Sequence, residues 1–533
     1  MEKKGLLNKI RLVPSAFPVL VFGTLIALGF MNTEAFVSIL WKVFEWLMVN
    51  IGWLVNLGCL AFVIFLLVLC VHPIGRIKFG GKDAKPTFST WNWWAISLCA
   101  GIGTGIVFWG AVEPLLHTMS PPAAMGLEPG SNEAMIWAMR TSFLHWTLTP
   151  YAIYVVAGLV IGYAYYNLGK PYAVSSGLSL LRGGKDLSQR SIDIIDGITL
   201  LAITGGVAGS LGYGLLQIGS GLNFVAGIEP GPIVWVLIAA VIIVAYTISS
   251  ATGLEKGIQW LSDKNAIIFI GLLIFTLIFG PTAKILNLTT QSMGSYVANF
   301  IEGMTFTDPF GTELWPQWWD MYWFVDWLSF GPIVGLFLIK MCYGRTIRQF
   351  IVVNLLLPSL FGMIWFGVFG GLALDLQLIQ GVDLAAYMDA NGIESLMLKV
   401  FEYLPLVSVI RPIMIVTVML SFVTLADSMT STVSLMTMKD NHDIKEAPVS
   451  IKLFWGLLMG LTSIVFVLNG GLEGIKVVKT LAGFPILFIE IAMMAGFIKF
   501  MSQNKHVIAE ESESLDSSDA KLLEELDEEL VVS

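Results

Sequence analysis

The chain has 533 residues, of which 56% are hydrophobic and only 13% are charged. A soluble fold needs more charge than this to cover its surface, so the composition excludes a soluble protein and indicates a polytopic membrane protein. The net charge of −9 does not point to an unusual partner such as nucleic acid, because the acidic tail 503–533 supplies most of it.

Twelve largely apolar stretches follow one another along the chain. Each is a continuous run and does not alternate with period two, so the pattern predicts membrane-spanning helices and not a β-barrel. The predicted fold class is therefore an all-α integral membrane protein with twelve transmembrane helices. The predicted spans lie near 13–32, 47–72, 92–117, 134–164, 192–222, 232–250, 265–289, 318–343, 350–374, 405–437, 450–470 and 476–501.

The basic residues predict the orientation of these spans. If the N-terminus is cytoplasmic, 19 Lys and Arg fall in cytoplasmic loops, and only Lys284, Lys476 and Lys479 fall on the opposite side. The positive-inside rule then places both termini in the cytoplasm and the chain in the plasma (inner) membrane. The N-terminal segment enters the first span without a small-residue cleavage site, so we expect no removable signal peptide.

Glycine and proline predict interruptions in two of the spans. The third span carries Gly101, Gly103 and Gly105, and the eighth carries Gly331 followed by Pro332. Each of these spans begins a block of five, and paired interruptions in two halves are typical of inverted-repeat transporters with a binding site at the membrane midplane. The alternative, that glycine allows tight helix packing, is considered for Gly101 alone. The run lacks GxGxxG spacing and a Walker lysine, so it does not predict a nucleotide-binding loop.

The segment 315–330, WPQWWDMYWFVDWLSF, holds five tryptophans and one acid in its apolar part, Asp326. Trp319, Trp323 and Trp327 are spaced four residues apart, which on a helix places the indoles along one face. Such faces attract cations, and quaternary ammonium groups above all. The alternative for Trp315, Trp318 and Trp319 is a belt at the membrane interface.

A second aromatic group lies in the fourth span. Trp146, Tyr151 and Tyr154 surround Pro150, which frees the backbone near Trp146 because proline donates no hydrogen bond. Together with Trp327 these rings predict a box for an ammonium group, in which each desolvated contact contributes about 1–2 kcal/mol.

At this point the chain resembles the betaine–choline–carnitine transporter family over all twelve spans. The matching segments are AGIGTGIVFWGAVEP (100–114), LHWTLTPYAIY (144–154), LGYGLLQIGSGL (211–222), GPIVG (331–335), GRTIRQF (344–350) and FVTLADS (422–428). The resemblance implies a LeuT-type core of two inverted five-helix repeats, two extra N-terminal helices and a homotrimer. It also implies an aromatic box formed by Trp146, Tyr151, Tyr154 and Trp327.

The resemblance and the span pattern together divide the chain into five parts. The predicted parts are two additional helices in 1–90, a first repeat of spans 3–7 in 91–290, an extracellular connecting segment 291–316, a second repeat of spans 8–12 in 317–502, and an acidic cytoplasmic tail 503–533.

One departure from the family concerns the substrate. Relatives that carry betaines show Trp-Trp before the break in span 8, whereas this chain has Asp326-Trp327. A carboxylate there repels a zwitterion and attracts a bare cation, so we expect a cationic methylated amine such as trimethylamine or choline. The alternatives are a structural acid paired with a basic residue, and uptake of zwitterionic betaine or carnitine. The predicted substrate-binding residues are Gly105, Trp146, Tyr151, Tyr154, Trp323, Asp326, Trp327 and Phe330.

Sodium coupling is also implied by the resemblance. One sodium ion is expected at the backbone carbonyls of Cys99, Ala100 and Ile102 and the hydroxyl of Thr424, although Leu425 replaces a hydroxyl residue of the family. A second family sodium site is expected to be absent, because its two threonines are replaced by apolar residues. These are Ile203 and Val207. Ala266 stands where sodium-independent exchangers of the family carry a basic residue.

Enzymes and channels are the competing classes. Glu113, Asp427 and Glu490 are interpreted as structural acids, and only His145 among the histidines is expected well inside a span. Without a cluster of Cys, His and carboxylates we expect no metal site, no nucleophile and base, and no cofactor beyond the coupling ion. Interrupted helices around a box favour an occluding transporter over a channel. The sequence therefore predicts a sodium symporter, not an enzyme.

Overall fold

The computed structural model describes residues 9–29, 33–102, 105–251, 254–439 and 447–505. Within these ranges the extended elements are all helical, and the only strand-like pairings described are two isolated bridges, Ile10–Met438 and Lys78–Thr346. The predicted all-α class is confirmed.

The helices are numbered in chain order. The first part of the chain forms α1 (Leu12–Gly29), α2 (Thr33–Val71), α3 (Thr90–Ile102), α4 (Gly105–Met119), α5 (Asn132–Trp146), α6 (Leu148–Leu168), α7 (Val174–Gly177), α8 (Gln189–Ala226), α9 (Pro232–Ala251) and α10 (Leu254–Phe279). The second part forms α11 (Thr282–Ala298), α12 (Phe300–Met304), α13 (Tyr322–Ile339), α14 (Ile347–Ile351), α15 (Leu357–Leu378), α16 (Leu384–Asn391), α17 (Leu396–Val400), α18 (Val407–Met436) and α19 (Val449–Gln503). The π-helical turns are Gln317–Met321 and Val352–Leu356, and the described 3-10 turns are Pro73–Arg76, Ala123–Met125, Leu178–Arg182, Ile393–Ser395 and Phe401–Tyr403.

In the part of the chain that the structure describes, nine helical stretches are long and apolar enough to cross a membrane. Two shorter apolar helices, Leu12–Ala27 and Pro232–Ala245, coincide with the predicted first and sixth spans. The chain is thus a multi-pass membrane protein, while the count of twelve crossings and the two inverted blocks stay predictions. The nine stretches are Trp41–Val71, Asn132–Leu168, Gln189–Ala226, Trp260–Phe279, Gln317–Ile339, Ile347–Leu378, Val407–Met436, Val449–Leu468 and Lys479–Gln503.

The two predicted helix interruptions have different outcomes. Residues 103–104, between α3 and α4, lie outside the described residues, so the break in the third span stays a prediction. The break at Gly331-Pro332 is wrong, because α13 runs through both residues. Proline removes only one backbone donor, and α13 is buried along its whole length, so packing sustains the helix.

The glycines of α13 serve helix packing, an alternative considered from the sequence only for Gly101. Gly331 and Gly335 are four residues apart, as in the small-residue motif of membrane helix pairs. A Cβ on Gly335 would lie 2.6 Å from the backbone nitrogen of Gly158 on α6, and one on Gly158 would lie 3.2 Å from the Gly335 carbonyl oxygen. Helices α6 and α13 therefore touch backbone to backbone.

A real interruption occurs in the fourth span. Between α5 and α6, Thr147 has φ −124° and ψ −108°, which is neither helical nor extended. Pro150 follows three residues later and cannot donate to the carbonyl of Trp146, which confirms the prediction of a freed backbone near Trp146.

One further predicted span boundary is wrong. The seventh span ends at Phe279 and not near 289, because Gly280-Pro281 ends α10 and a separate helix begins at Thr282. The predicted eleventh and twelfth spans coincide with the apolar stretches Val449–Leu468 and Lys479–Gln503, which are joined in one continuous helix, α19. Lys479, predicted at the extracellular end of the twelfth span, is buried in this helix.

Candidate functional site

The four residues of the predicted aromatic box lie together at the contact of α5, α6 and α13. The rings of Trp146 and Trp327 meet edge to face with centroids 5.0 Å apart. Tyr154 lies 6.3 Å from Trp327, and Tyr151 lies 6.3 Å from Tyr154. All four are buried. The rings form a continuous row, and aromatic faces are the surfaces that attract an ammonium group.

Trp327 is fixed by the interruption of the fourth span. Its indole Nε1 donates a hydrogen bond of 2.8 Å to the carbonyl oxygen of His145. Thr147 departs from helical geometry, so the carbonyl groups at the end of α5 need partners outside the helix. The break in the fourth span thus supplies an acceptor that orients one wall of the box.

Trp323 extends the row along α13. It stacks on Trp327 with centroids 5.9 Å apart and 20° between the planes, and its ring lies 4.7 Å from that of Trp146. Trp323 and Trp327 therefore lie along one face of the helix, as predicted. The π-helical turn Gln317–Met321 changes the register before it, so Trp319 packs against His117 at 4.4 Å.

Gly105 belongs to the site because of its size. A Cβ at this position would lie 2.8 Å from Cη2 and Cζ3 of the Trp146 indole, closer than real Cβ contacts. The absence of a side chain on α4 therefore makes room for the ring.

The hypothesis of a cationic substrate requires that Asp326 faces the box without a basic partner, but Asp326 has one. Its carboxylate binds Nζ of Lys479 on α19 at 2.7 and 2.8 Å, and both side chains are buried, 1% and 3% exposed. This is the alternative interpretation, a structural acid paired with a basic residue. The pairing was not predicted from the sequence because Lys479 was placed on the extracellular side of the membrane.

Phe330 lies on the Lys479 side of α13. Nζ of Lys479 lies 5.3 Å from the Phe330 ring and 5.1 Å from the ring of Tyr213 on α8. A Cβ added to Gly206 of α8 would lie 3.2 Å from the Phe330 ring, so this ring packs closely on α8. Lys479 thus occupies a second aromatic group, with its charge balanced by Asp326.

A buried cluster of acids and histidines adjoins the box, and the expectation that no such cluster exists is wrong. Glu113 and His117, four residues apart on α4, are hydrogen-bonded at 3.3 Å. His145 bonds Glu113 through Nδ1, and its Nε2 lies 2.6 Å from Asp320. All four side chains are buried. The spacing of Glu113 and His117 was the sequence signal, although it did not identify His145 and Asp320 as their partners.

This cluster is joined to the box through Glu113. The second carboxylate oxygen of Glu113 accepts a hydrogen bond of 2.6 Å from Nε1 of Trp146. Glu113, His117 and His145 each have one atom that could bind a metal ion, and these three atoms lie within 4.8 Å of one another. Each of the three side chains is already hydrogen-bonded within the cluster. The cluster therefore orients a wall of the box without needing a metal ion.

The predicted sodium ligands lie where α3 packs against α18 and α10. Thr424 is buried on α18, and its hydroxyl donates to the Leu420 carbonyl at 2.8 Å. The carbonyl ligation of a sodium ion by Cys99, Ala100 and Ile102 stays a prediction.

Asn265 on α10 is a polar residue of this region that was not predicted. Its Nδ2 donates to Oγ of Ser421 at 2.9 Å and lies 3.8 Å from Sγ of Cys99. Its Oδ1 and the hydroxyl oxygens of Ser97 and Ser262 are buried without a hydrogen-bond partner among the described residues. Buried oxygens of this kind call for a partner such as a cation or water. Ser262 and Asn265, three residues apart in an apolar helix, were the available signal.

Ile203 and Val207 are buried on α8 and carry no side-chain oxygen, as the sequence indicates. Ala266 is also buried.

Comparisons with known proteins cover nearly the whole chain. The sequence profile of the betaine/carnitine/choline family transporters matches residues 14–506. A probable glycine betaine transporter of Desulfitobacterium hafniense is 33% identical, over 88% of this chain and 93% of its own length. An ectoine/hydroxyectoine transporter of Virgibacillus pantothenticus is 30% identical, over 96% and 100%. The glycine betaine transporter OpuD of Bacillus subtilis is 33% identical, over 88% and 90%.

Among solved structures, a Na⁺-coupled sialic acid symporter in a substrate-bound outward-open state is similar with a TM-score of 0.44. It is 14% identical, over 82% of this chain and 86% of the solved chain. A score of this size does not establish a common fold.

Proposed function

Because this chain belongs to the betaine/carnitine/choline family of transporters, we propose that it imports a small zwitterion, with the positive group in the aromatic box and the carboxylate toward Lys479. It is a membrane transporter and not an enzyme. The observation that carries the choice of substrate is the buried pair of Asp326 and Lys479.

The pair removes the reason for expecting a bare cation. A free carboxylate beside Trp327 would repel a substrate carboxylate, whereas a carboxylate bound to Lys479 has its charge balanced. Lys479 also supplies the cation that a substrate carboxylate needs in a site without water. A zwitterion that enters the box can therefore share or replace Asp326 as the partner of Lys479.

The relatives support the same class of substrate. Two of those described above are glycine betaine transporters and one is an ectoine/hydroxyectoine transporter. Betaine and ectoine differ in their positive group but share a carboxylate close to it. Trimethylamine and choline, which the sequence favoured, lack that carboxylate and serve as the opposing test.

We further propose that one sodium ion accompanies each substrate. The carbonyl oxygens of Cys99, Ala100 and Ile102 would provide ligands, as the family resemblance implies. The unpartnered Oδ1 of Asn265 supports a cation in this region, because hard cations take oxygen ligands. Thr424 would join by turning its hydroxyl from Leu420. We also propose that the protein is a homotrimer in the inner membrane. Both of its termini would lie in the cytoplasm.

Uptake into proteoliposomes tests the substrate and the ion together. Purified protein is reconstituted, and labelled glycine betaine, ectoine, choline and trimethylamine are supplied with an inward gradient of Na⁺ or of K⁺. We expect concentrative uptake of glycine betaine or ectoine with Na⁺ alone. Uptake of choline or trimethylamine in preference to both zwitterions would contradict the substrate class, and equal uptake with K⁺ would contradict sodium coupling.

A further inference from the structure

A chain of hydrogen-bonded titratable groups leads from a surface cavity to the aromatic box. Asp320 lies 2.6 Å from Nε2 of His145, and Nδ1 of His145 bonds Glu113. Glu113 accepts from the indole of Trp146, a wall of the box, at 2.6 Å. Three elements, the π-helical turn before α13, α5 and α4, each contribute one link.

The outer end of this chain lies at a cavity. Asp320 lines this cavity together with Arg140 and Trp315, next to the predicted extracellular segment 291–316. Glu302 lines the same cavity, and its side chain is 64% exposed. The cavity thus has the buried Asp320 and an exposed acid on its wall, on the side opposite to the predicted cytoplasmic loops.

We propose that Asp320, His145 and Glu113 form a proton-binding relay, and that an ammonium group entering the box releases a proton from it into this cavity. The number of N–H donors on the His145 ring supports this relay. A neutral imidazole has one N–H donor, whereas both ring nitrogens of His145 face a carboxylate. Both contacts are hydrogen bonds only if one extra proton lies on His145 or on one of the two acids.

The release follows from the position of Trp146. An ammonium group on a face of the Trp146 ring would lie close to Glu113, which holds the Nε1 edge of the same indole, inside a buried site where charges are weakly screened. The ammonium group and the extra proton are both positive, so each lowers the affinity for the other. The proton passes from Glu113 through His145 to Asp320 and then to water in the cavity, and no bond other than those to hydrogen changes.

Other charged and titratable groups face this relay from the neighbouring helices. His117 of α4 bonds Glu113 and supports its ionised form. Arg140 of α5 lines the cavity and pairs with Glu302 of α12 at 3.7 Å. Tyr296 of α11 bonds Thr147, and Nζ of Lys476 on α19 lies 5.7 Å from the Trp319 ring. None of these groups lies between the ring nitrogens of His145 and the two acids.

The inference rests on the aromatic box of the proposed function, so the first experiment uses the box and the second does not. In the first, binding of glycine betaine and of tetramethylammonium to the purified wild-type protein is followed by tryptophan fluorescence from about pH 5 to about pH 9. Proton release on binding is measured with an indicator dye in weak buffer. We expect the Kd of both ligands to rise as the pH falls, by up to about tenfold per pH unit, with release of up to one proton.

Variants locate the effect. We expect His145→Gln and Asp320→Asn to abolish proton release and to flatten the pH dependence of the Kd. His72→Asn is the matched control, because His72 is exposed on the 3-10 turn after α2, where its side chain caps the turn, and we expect the wild-type profile. A wild-type Kd that is independent of pH, or binding that takes up a proton, would overturn the relay.

The second experiment is infrared difference spectroscopy of the ligand-free protein during a pH titration. We expect a carboxylic-acid or imidazolium band that appears on acidification and is reduced in Asp320→Asn, in Glu113→Gln and in His145→Gln. If neither ligand binds but this band is present and depends on these residues, the proposed substrates are wrong and the relay stands. If the wild-type spectrum shows no such band attributable to any of the three residues, the relay is wrong whatever the substrate.

Discussion

The indole of Trp327 donates a hydrogen bond of 2.8 Å to the backbone carbonyl of His145, so the box tryptophan of α13 is fixed to the end of α5. His145 also holds the two acids Glu113 and Asp320 with its side chain. One residue therefore connects the aromatic box, the interruption of the fourth span and the buried acids.

Trp327→Phe should keep a ring in the box but lose this hydrogen bond and part of the cation–π attraction. We expect the KM for the transported zwitterion to rise about tenfold, with unchanged sodium dependence. Uptake kinetics in proteoliposomes measure this change. Trp318→Phe is the control, since Trp318 packs against Trp41 and Phe44 away from the box, and its KM should stay within about twofold. Equal effects of both substitutions would remove Trp327 from the binding site.

Lys479→Met should destabilise the protein by about 3–5 kcal/mol, because it leaves Asp326 buried without its partner. Thermal unfolding in detergent measures the loss. Lys479→Met combined with Asp326→Asn should recover most of the stability but should not restore uptake of a zwitterion. Lys284→Met is the matched control, since Lys284 pairs with Asp375 but is 58% exposed, and it should cost at most about 1 kcal/mol. Full zwitterion uptake by the double variant would contradict the proposed role of Lys479.

Asn265→Ala should weaken the dependence of uptake on sodium. We expect the sodium concentration for half-maximal uptake to rise about tenfold, because a buried oxygen ligand is lost, while the KM for substrate at saturating sodium stays near the wild-type value. Uptake measured against sodium concentration gives both quantities. Asn56→Ala is the control, since Asn56 is also a buried asparagine with an unpartnered Oδ1, but bonds the Phe306 carbonyl far from α10. An identical sodium response in both variants would exclude Asn265 as a ligand.

Gly105→Ala should displace the Trp146 indole, since the added Cβ would approach two ring carbons to 2.8 Å. We expect at least about a tenfold loss of uptake with normal membrane insertion, because the box wall moves before the fold is affected. Uptake normalised to the amount of protein measures the loss. Gly271→Ala on α10 meets nothing within 4 Å and should leave uptake unchanged or raise stability slightly. Normal uptake by Gly105→Ala would show that the Trp146 position is not critical.

Acid should weaken a contact outside the spans, at the turn before α18. Partial burial of Glu402 opposes its ionisation, but hydrogen bonds from Lys399 and Arg411 outweigh this effect and lower the pKa of Glu402. A lowered pKa contributes stability above the ordinary glutamate value, and this contribution is lost as the pH falls through the lowered value. Glu402→Gln should therefore cost about 1 kcal/mol at neutral pH and little in acid. Unfolding temperatures measured against pH, with exposed Glu229→Gln as the control, test the difference.

The amino-acid pattern predicted the helical class, because long apolar runs are a local property, and together with the family resemblance it predicted which four rings lie near one another. Trp146, Tyr151, Tyr154 and Trp327 are brought together as predicted. The role of each in binding stays a prediction that the experiments above address.

The pairings between distant segments could not be predicted in the same way. Asp326 and Lys479 are 153 positions apart, and their contact depends on how α19 packs against α13. Asp320 and His145 are 175 positions apart. At Pro332 the local sequence predicted a helix break that does not occur. Helix α13 continues through this residue because it is buried on all sides.

The close approach of Gly158 and Gly335 has a consequence for how access to the box changes. Tyr151 and Tyr154 are carried by α6, and Trp323 and Trp327 by α13, so the two helices that hold the rings are locked at their backbones. Because interlocked backbones resist sliding, we expect the pair to move as one rigid body. Tyr151, Tyr154, Trp323 and Trp327 would then keep their spacing during transport, and access from the two sides of the membrane would change by movement of the helices around this pair.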